Sequence, residues 1–356
     1  MHFMTLNWNL QGGAAVRTLV TLLIAASGGA FFDRLGLPAP YLSGGMIAVA
    51  AAAFAGVPVQ FPEVLKKLAM IVLGISMGSG VTPEAFDRIG AWPITIALIA
   101  PVMIVMTTSA YGFLHGVCRW RRSDAFFSAI PGTLGLVAVL AEEKNADLPR
   151  IMTVQVFRLF VLLAFLPTLL VATSPEHAAG LASEIPYSTP LQMLALIVVC
   201  VPASLLAHKV GVPAGLLTGG FIVSSVLNVT STVPVHLPAV VEVPVFMFFG
   251  AMIGARFGAT SFRQIVSWLR MSLGSFMIVF AVCVAISALV SAVSNISFGQ
   301  LVLAYSPGGL EVMTLLAFQL DLDPAFVATH QILRYVGMLF VLPFASRLVL
   351  GPTPKV

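Results

Sequence analysis

The sequence predicts an all-α polytopic membrane protein made of two homologous, inverted repeats. Each repeat has about five crossings plus one broken or re-entrant Pro-Gly helix, giving ten to twelve membrane segments. Three observations predict this. Of the 356 residues, 59% are hydrophobic and only 9% charged, where soluble domains carry about 25% charged residues. Apolar stretches long enough to cross a bilayer, roughly 17–25 residues, recur along the chain. The segment 131–167 also returns, without gaps, at 307–343.

The apolar stretches include 14–32, 92–114, 151–173, 191–207, 268–293 and 326–344. A porin-type barrel would instead show ten-residue alternating segments. The opening MHFMTLNWNLQGG has no charged n-region and no cleavage site, so no signal peptide is expected and the first span targets the chain. Cys118, Cys200 and Cys283 stand far apart, which fits neither a disulfide framework nor a zinc site. A net charge of +4, scattered along the chain, excludes nucleic acid as a partner, because that binding needs a clustered basic face.

PGTLGLVAVLAEEKNADLPRIMTVQVFRLFVLLAFLP lies over PGGLEVMTLLAFQLDLDPAFVATHQILRYVGMLFVLP at an offset of 176. Twelve of the 37 positions are identical, among them Asp147/Asp323, Thr153/Thr329, Gln155/Gln331 and Arg158/Arg334. Upstream, Gly74 and Gly78 fall on Gly250 and Gly254, Trp92 falls on Trp268, and GLPAPYLSGG lies over GVPAGLLTGG. The expected organisation is a first repeat over 14–172, a hydrophilic linker over 173–188 and a second repeat over 189–350.

Loop charge orients the repeats, because cytoplasmic loops are enriched in Lys and Arg. Lys66 and Lys67, then Arg119, Arg121 and Arg122, mark positive loops in the first half, while the equivalent of the second cluster, 295–300, is uncharged. Corresponding loops therefore face opposite sides, as in an inverted repeat. The path places both termini in the cytoplasm of a bacterial inner membrane and the acidic linker outside. It needs an odd number of crossings per half, so the Pro-Gly segments near 125–141 and 301–317 are the expected re-entrant pieces.

Pro131, Gly132, Pro307 and Gly308 mark the breaks, since proline removes a backbone donor and glycine loosens the chain. Irregular backbone at membrane depth occurs where it lines a cavity or is buried in protein. Freed backbone groups at the breaks, with Thr133, Ser306, Gly308 and Gly309, are expected to bind substrate. Arg158 and Arg334 sit deep in apolar sequence, where a charge costs at least about 2.5–3.5 kcal/mol. They either donate to carbonyls at the broken ends, pair with Glu311 or Glu142, or clamp an anionic group with the planar guanidinium fork. Gln155 and Gln331 lie three residues before them on the same helical face. Glu311, just past the second break, and His330, the one histidine well inside a helix, are the expected carriers of a coupling proton or Na⁺. The first-half equivalent of Glu311 is Gly135, so the halves differ chemically. The glycine pairs are expected to allow close helix packing, and Glu142, Glu143, Lys144, Asp321 and Asp323 to be solvated loop charges.

The motif PGGLEVMTLLAFQLDLDPAFVATHQILR, with AFFSAIPGTLGLVAVLAEEKNADLPRIMTVQVFRL in the first half, resembles the AbrB-type membrane protein family. Members of that family are labelled ammonia monooxygenase or AbrB family transcriptional regulator. The likeness covers nearly the whole chain. It implies kinship with the cation/proton antiporter and anion transporter superfamily, whose members use inverted repeats with crossed, interrupted helices. Homodimers are implied by analogy with those folds.

An oxygenase needs iron or copper held by clustered ligands. His2, His115, His177, His208, His236 and His330 are singletons, so no enzyme, no metal site and no cofactor is expected. A DNA-binding regulator needs a soluble basic module, and the longest hydrophilic stretch is the short linker. The expected function is secondary active transport of a small, carboxylate-type anionic solute coupled to H⁺ or Na⁺, by alternating access. The alternative is a membrane-embedded sensor that affects gene expression indirectly.

Overall fold

Proline and polar residues set where the helices begin. Pro40 occupies the first turn of the helix Pro40–Phe54, and Pro190 that of Pro190–Lys209, positions where a missing N–H costs nothing. Thr189 closes a capping box with Gln192: its hydroxyl accepts from the Gln192 N–H, and its own N–H donates to Gln192 Oε1 at 2.7 Å. Ser297 caps the next short helix by accepting from the Gln300 N–H.

The computed structural model describes residues 13–79, 81, 92–131, 134–173, 188–230, 237–259 and 262–351. In the first half lie α1 (Ala14–Arg34), α2 (Pro40–Phe54), α3 (Glu63–Ser79), α4 (Trp92–Ala97), α5 (Ile99–Gly112, continued by a π-helical turn over Phe113–Val117), α6 (Arg122–Ala129), α7 (Leu134–Glu143) and α8 (Leu148–Thr173). In the second half lie α9 (Pro190–Lys209), α10 (Gly215–Val229), α11 (Ala239–Ala255), α12 (Phe262–Val293), α13 (Phe298–Tyr305), α14 (Leu310–Gln319) and α15 (Pro324–Leu350). Among the described residues seven stretches are long and apolar enough to cross a membrane. The protein is an all-α polytopic membrane protein. Six of those stretches coincide with the apolar runs named from the sequence. The seventh, Ala239–Gly258, was not among them.

The offset of 176 reappears in the helix bounds. Arg122–Ala129 corresponds to Phe298–Tyr305, and Leu134–Glu143 to Leu310–Gln319. At 1.5 Å per residue these arms are only about 12 and 15 Å long, each about half of a hydrocarbon core of about 30 Å.

Contacts between Cα atoms divide the chain into two compact units, and each draws on both halves. The first holds residues 1–83, 163–262 and 318–324. In it α3 packs on α10 and α11 packs on α2, so each half supplies one helix to each pair. Glycine makes both approaches feasible. A Cβ at Gly74 would lie 2.2 Å from the Leu217 carbonyl oxygen, and one at Gly250 would lie 2.1 Å from that of Leu42. Pro167 cannot donate to the Leu163 carbonyl four residues back, and the hydroxyl of Ser43 fills the gap at 2.9 Å.

The second unit holds residues 84–162, 263–317 and 325–356. Its core includes Phe126, Phe127, Ile130, Val137, Ile151 and Leu342, which pack the first broken helix against α8 and α15.

Candidate functional site

Both helix breaks belong to the second unit. The α13 arm ends at Tyr305, where Ser306 leaves helical geometry (φ −55°, ψ 139°). Its last carbonyls therefore lose their onward N–H partners. Two side chains from α15 replace them. Gln331 Nε2 donates to the carbonyls of Leu303 (2.9 Å), Ala304 (3.2 Å) and Ser306 (3.3 Å). Arg334 donates from Nη1 to Ser306 O and from Nη2 to Gly308 O, the latter at 2.6 Å. A cation at a helix C-terminus also opposes the dipole there.

The first half does the same 176 residues earlier. Gln155 Nε2 donates to Phe127 O at 3.0 Å, and Arg158 Nη2 donates to Ile130 O at 3.2 Å and to Gln155 Oε1 at 2.9 Å. Phe127 and Ile130 are the counterparts of Leu303 and Ser306. Of the roles open to the arginines on sequence, donation to broken-end carbonyls is the one formed. Neither arginine pairs with Glu311 or Glu142, and among the described residues no carboxylate lies in ion-pair range of either. Both side chains are buried, at 5% and 6% exposure. Neutral carbonyls satisfy their hydrogen bonds without cancelling their charge.

Pro131, Pro307, Ser306 and Gly308 are buried at the breaks and Gly309 is partly exposed. A Cβ on Gly308 would meet the Met313 side chain at 2.5 Å, so that glycine admits a close approach. Gly132 and Thr133 lie outside the described residues. Glu311 sits half-buried in the first turn of α14, where a carboxylate suits the helix dipole.

His330 is fully buried, and both of its ring nitrogens are engaged. Nδ1 lies 2.8 Å from Phe326 O, which can only accept, so Nδ1 carries a proton. Nε2 lies 2.9 Å from Thr95 Oγ1, and that hydroxyl is also 2.9 Å from Trp92 O. A neutral imidazole draws the Thr95 proton to Nε2. A charged one donates to Thr95 and turns its proton toward Trp92 O. Tyr305 closes the group by donating to Thr95 O at 2.9 Å. Thr95→Val leaves Nε2 without its partner, and a stability loss of about 1–2 kcal/mol is expected, read by thermal unfolding of the purified protein.

Sequence reasoning missed Thr95 and Tyr305, which are ordinary apolar-helix residues until the fold sets them beside His330. It also missed Asp124. This carboxylate is fully buried, accepts from the Asp147 N–H at 2.9 Å and faces Arg150 Nη1 at 3.4 Å. The Arg150 guanidinium lies over the rings of Trp120 and Trp268, at 5.1 and 5.6 Å. In the first unit, Ser76 donates to the carboxylate of Glu242.

The fold and these paired breaks define a polytopic helical membrane protein with side-chain-capped, interrupted helices. Residues 41–350 match the family model described as "Transition state regulatory protein AbrB", and the chain belongs to that AbrB family. Two relatives extend the likeness over most of its length. It is 22% identical over 330 residues to "Putative regulator AbrB" of Escherichia coli (strain K12), covering 91% of this chain and 94% of the relative. It is 24% identical over 312 residues to "Uncharacterized protein YhjN" of Bacillus subtilis (strain 168), covering 79% of this chain and 78% of that one.

Proposed function

We propose that the protein is a secondary active transporter of a small anionic solute of the carboxylate type, coupled to H⁺ or Na⁺, and not an enzyme. One observation carries the reading: two buried arginines have only neutral partners among the described residues. A bound anion beside them would supply the missing charge, and arginine's planar donors suit a carboxylate. Broken helices related by an inverted repeat are a recurring substrate site in secondary transporters. In this reading Arg334, Arg158, Gln331 and Gln155 hold the breaks and face the solute, while Ser306, Gly308, Gly309 and Thr133 offer it backbone and hydroxyl donors. Glu311 or His330 carries the coupling ion. The unit holding both breaks moves while the other serves as scaffold.

The test is thermal stability of the purified protein against carboxylates, inorganic anions and Na⁺, on either side of the ordinary histidine range. A ligand that binds only the folded state adds about 2.7 kcal/mol at a hundredfold excess over Kd. The expected result is stabilisation by one anion class. The names of the family and of one relative favour a second reading, a membrane-embedded regulator without transport. A flat response across the panel, from a protein that is otherwise well folded, would overturn the transporter in favour of that reading.

A further inference from the structure

Within the second unit a cavity of about 530 Å³ is lined by Arg121, Arg122, Ser123 and Lys144 together with Val349, Leu350 and Gly351. From this cavity we infer a binding site for the phosphate headgroup of an anionic phospholipid.

The charge is unbalanced. No carboxylate lines the cavity among the described residues. The nearest buried acid in sequence, Asp124, is occupied by the Asp147 N–H and by Arg150. Arg121 and Arg122 are exposed and form no ion pair among the described residues. Lys144 donates to Gly351 O at 2.7 Å, which fixes its ammonium at the rim and leaves two of its three donors. Arg121 is the N-cap residue of α6 and caps with no side-chain bond, so the first N–H groups of α6 add to the donor set.

The depth is that of a headgroup. The apolar stretch Trp92–Val117 ends four residues before Arg121, and Pro324–Leu350 ends at the cavity itself. Leu348 and Phe344, about half a turn and nearly two turns back from Leu350 along α15, are 88% and 72% exposed and offer an apolar track to an acyl chain below the phosphate. A free phosphate would use the cations but not that track. Basic pockets at the ends of membrane helices take anionic headgroups on these terms.

The experiment uses the full chain in mild detergent. Binding of phosphatidylglycerol, of phosphatidylcholine and of inorganic phosphate is measured by native mass spectrometry and by thermal shift. Phosphatidylglycerol is expected to bind preferentially. Each basic side chain at an anionic surface contributes roughly a fivefold gain in affinity, so Arg121→Gln/Arg122→Gln should weaken phosphatidylglycerol roughly 25-fold. Arg121→Lys/Arg122→Lys keeps the charge and should keep the preference, which covers the case in which the glutamine variant fails to fold. Lys209→Gln, at the end of a different span, should change nothing. Equal binding of phosphatidylcholine, or undiminished phosphatidylglycerol binding in the glutamine variant, would overturn the site. Inorganic phosphate binding as well as the lipid would overturn the lipid assignment.

Discussion

Arg334→Ala is expected to cost about 2–5 kcal/mol, because it leaves the carbonyls of Ser306 and Gly308 buried without donors, at roughly 1–3 kcal/mol each. Removing a cation that has no carboxylate partner returns part of that. Arg334→Lys should fall between wild type and alanine, since an ammonium does not reproduce the planar fork. The same variants separate capping from solute binding. If Arg334 also engages an anion, Arg334→Gln loses the stabilisation given by that anion even in preparations that remain folded. Anion stabilisation of wild-type size in Arg334→Gln would leave this arginine a cap and nothing more. The effect of Arg158→Ala should be smaller, because Arg158 reaches one carbonyl, Ile130 O, and shares its second bond with Gln155.

Gly250→Ala is expected to be at least as damaging. Its new methyl would sit 2.1 Å from a backbone oxygen of α2, and a backbone atom cannot turn aside as a side chain can. Overpacking typically costs about 1–3 kcal/mol and occasionally more; here we expect about 3 kcal/mol or more, seen as poor accumulation in the membrane or a lowered unfolding temperature. Gly74→Ala should behave alike through Leu217 O, at 2.2 Å. Gly337→Ala is the control. Nothing lies within 4 Å of its added carbon, and alanine is the better helix former by about 1 kcal/mol. Equal tolerance of all three would mean that α2 and α11 are not held by this glycine contact.

Much of this was legible because the sequence states it twice. A Pro-Gly followed 27 residues later by an arginine points to a break and its cap, and both halves carry the pair. The choice among partners for Arg158 and Arg334 was not legible, because an arginine at membrane depth needs acceptors whatever they are. Only coordinates separate carbonyls from Glu311 or Glu142. Thr95 was invisible for a related reason: its partner His330 lies 235 residues away, beyond any local periodicity. Lys144 was read as a solvated loop charge, yet it is bonded to the end of α15, a partner 207 residues distant. Asp124 passed unnoticed beside three arginines, where an acid looks solvated.

The two kinds of contact also become available at very different moments in the life of the chain. Gln155 and the carbonyl it caps are 28 residues apart, so that clamp can close as soon as its own helix has left the ribosome. The glycine face of α3 has to wait. Ser224, which bonds Ile75 O, lies 149 residues later, about 7–30 s of synthesis at ordinary rates of about 5–20 residues per second. Through that interval the newborn first half holds a finished break and an unpaired groove, and the groove is sheltered by lipid or by the insertion machinery until the second half arrives.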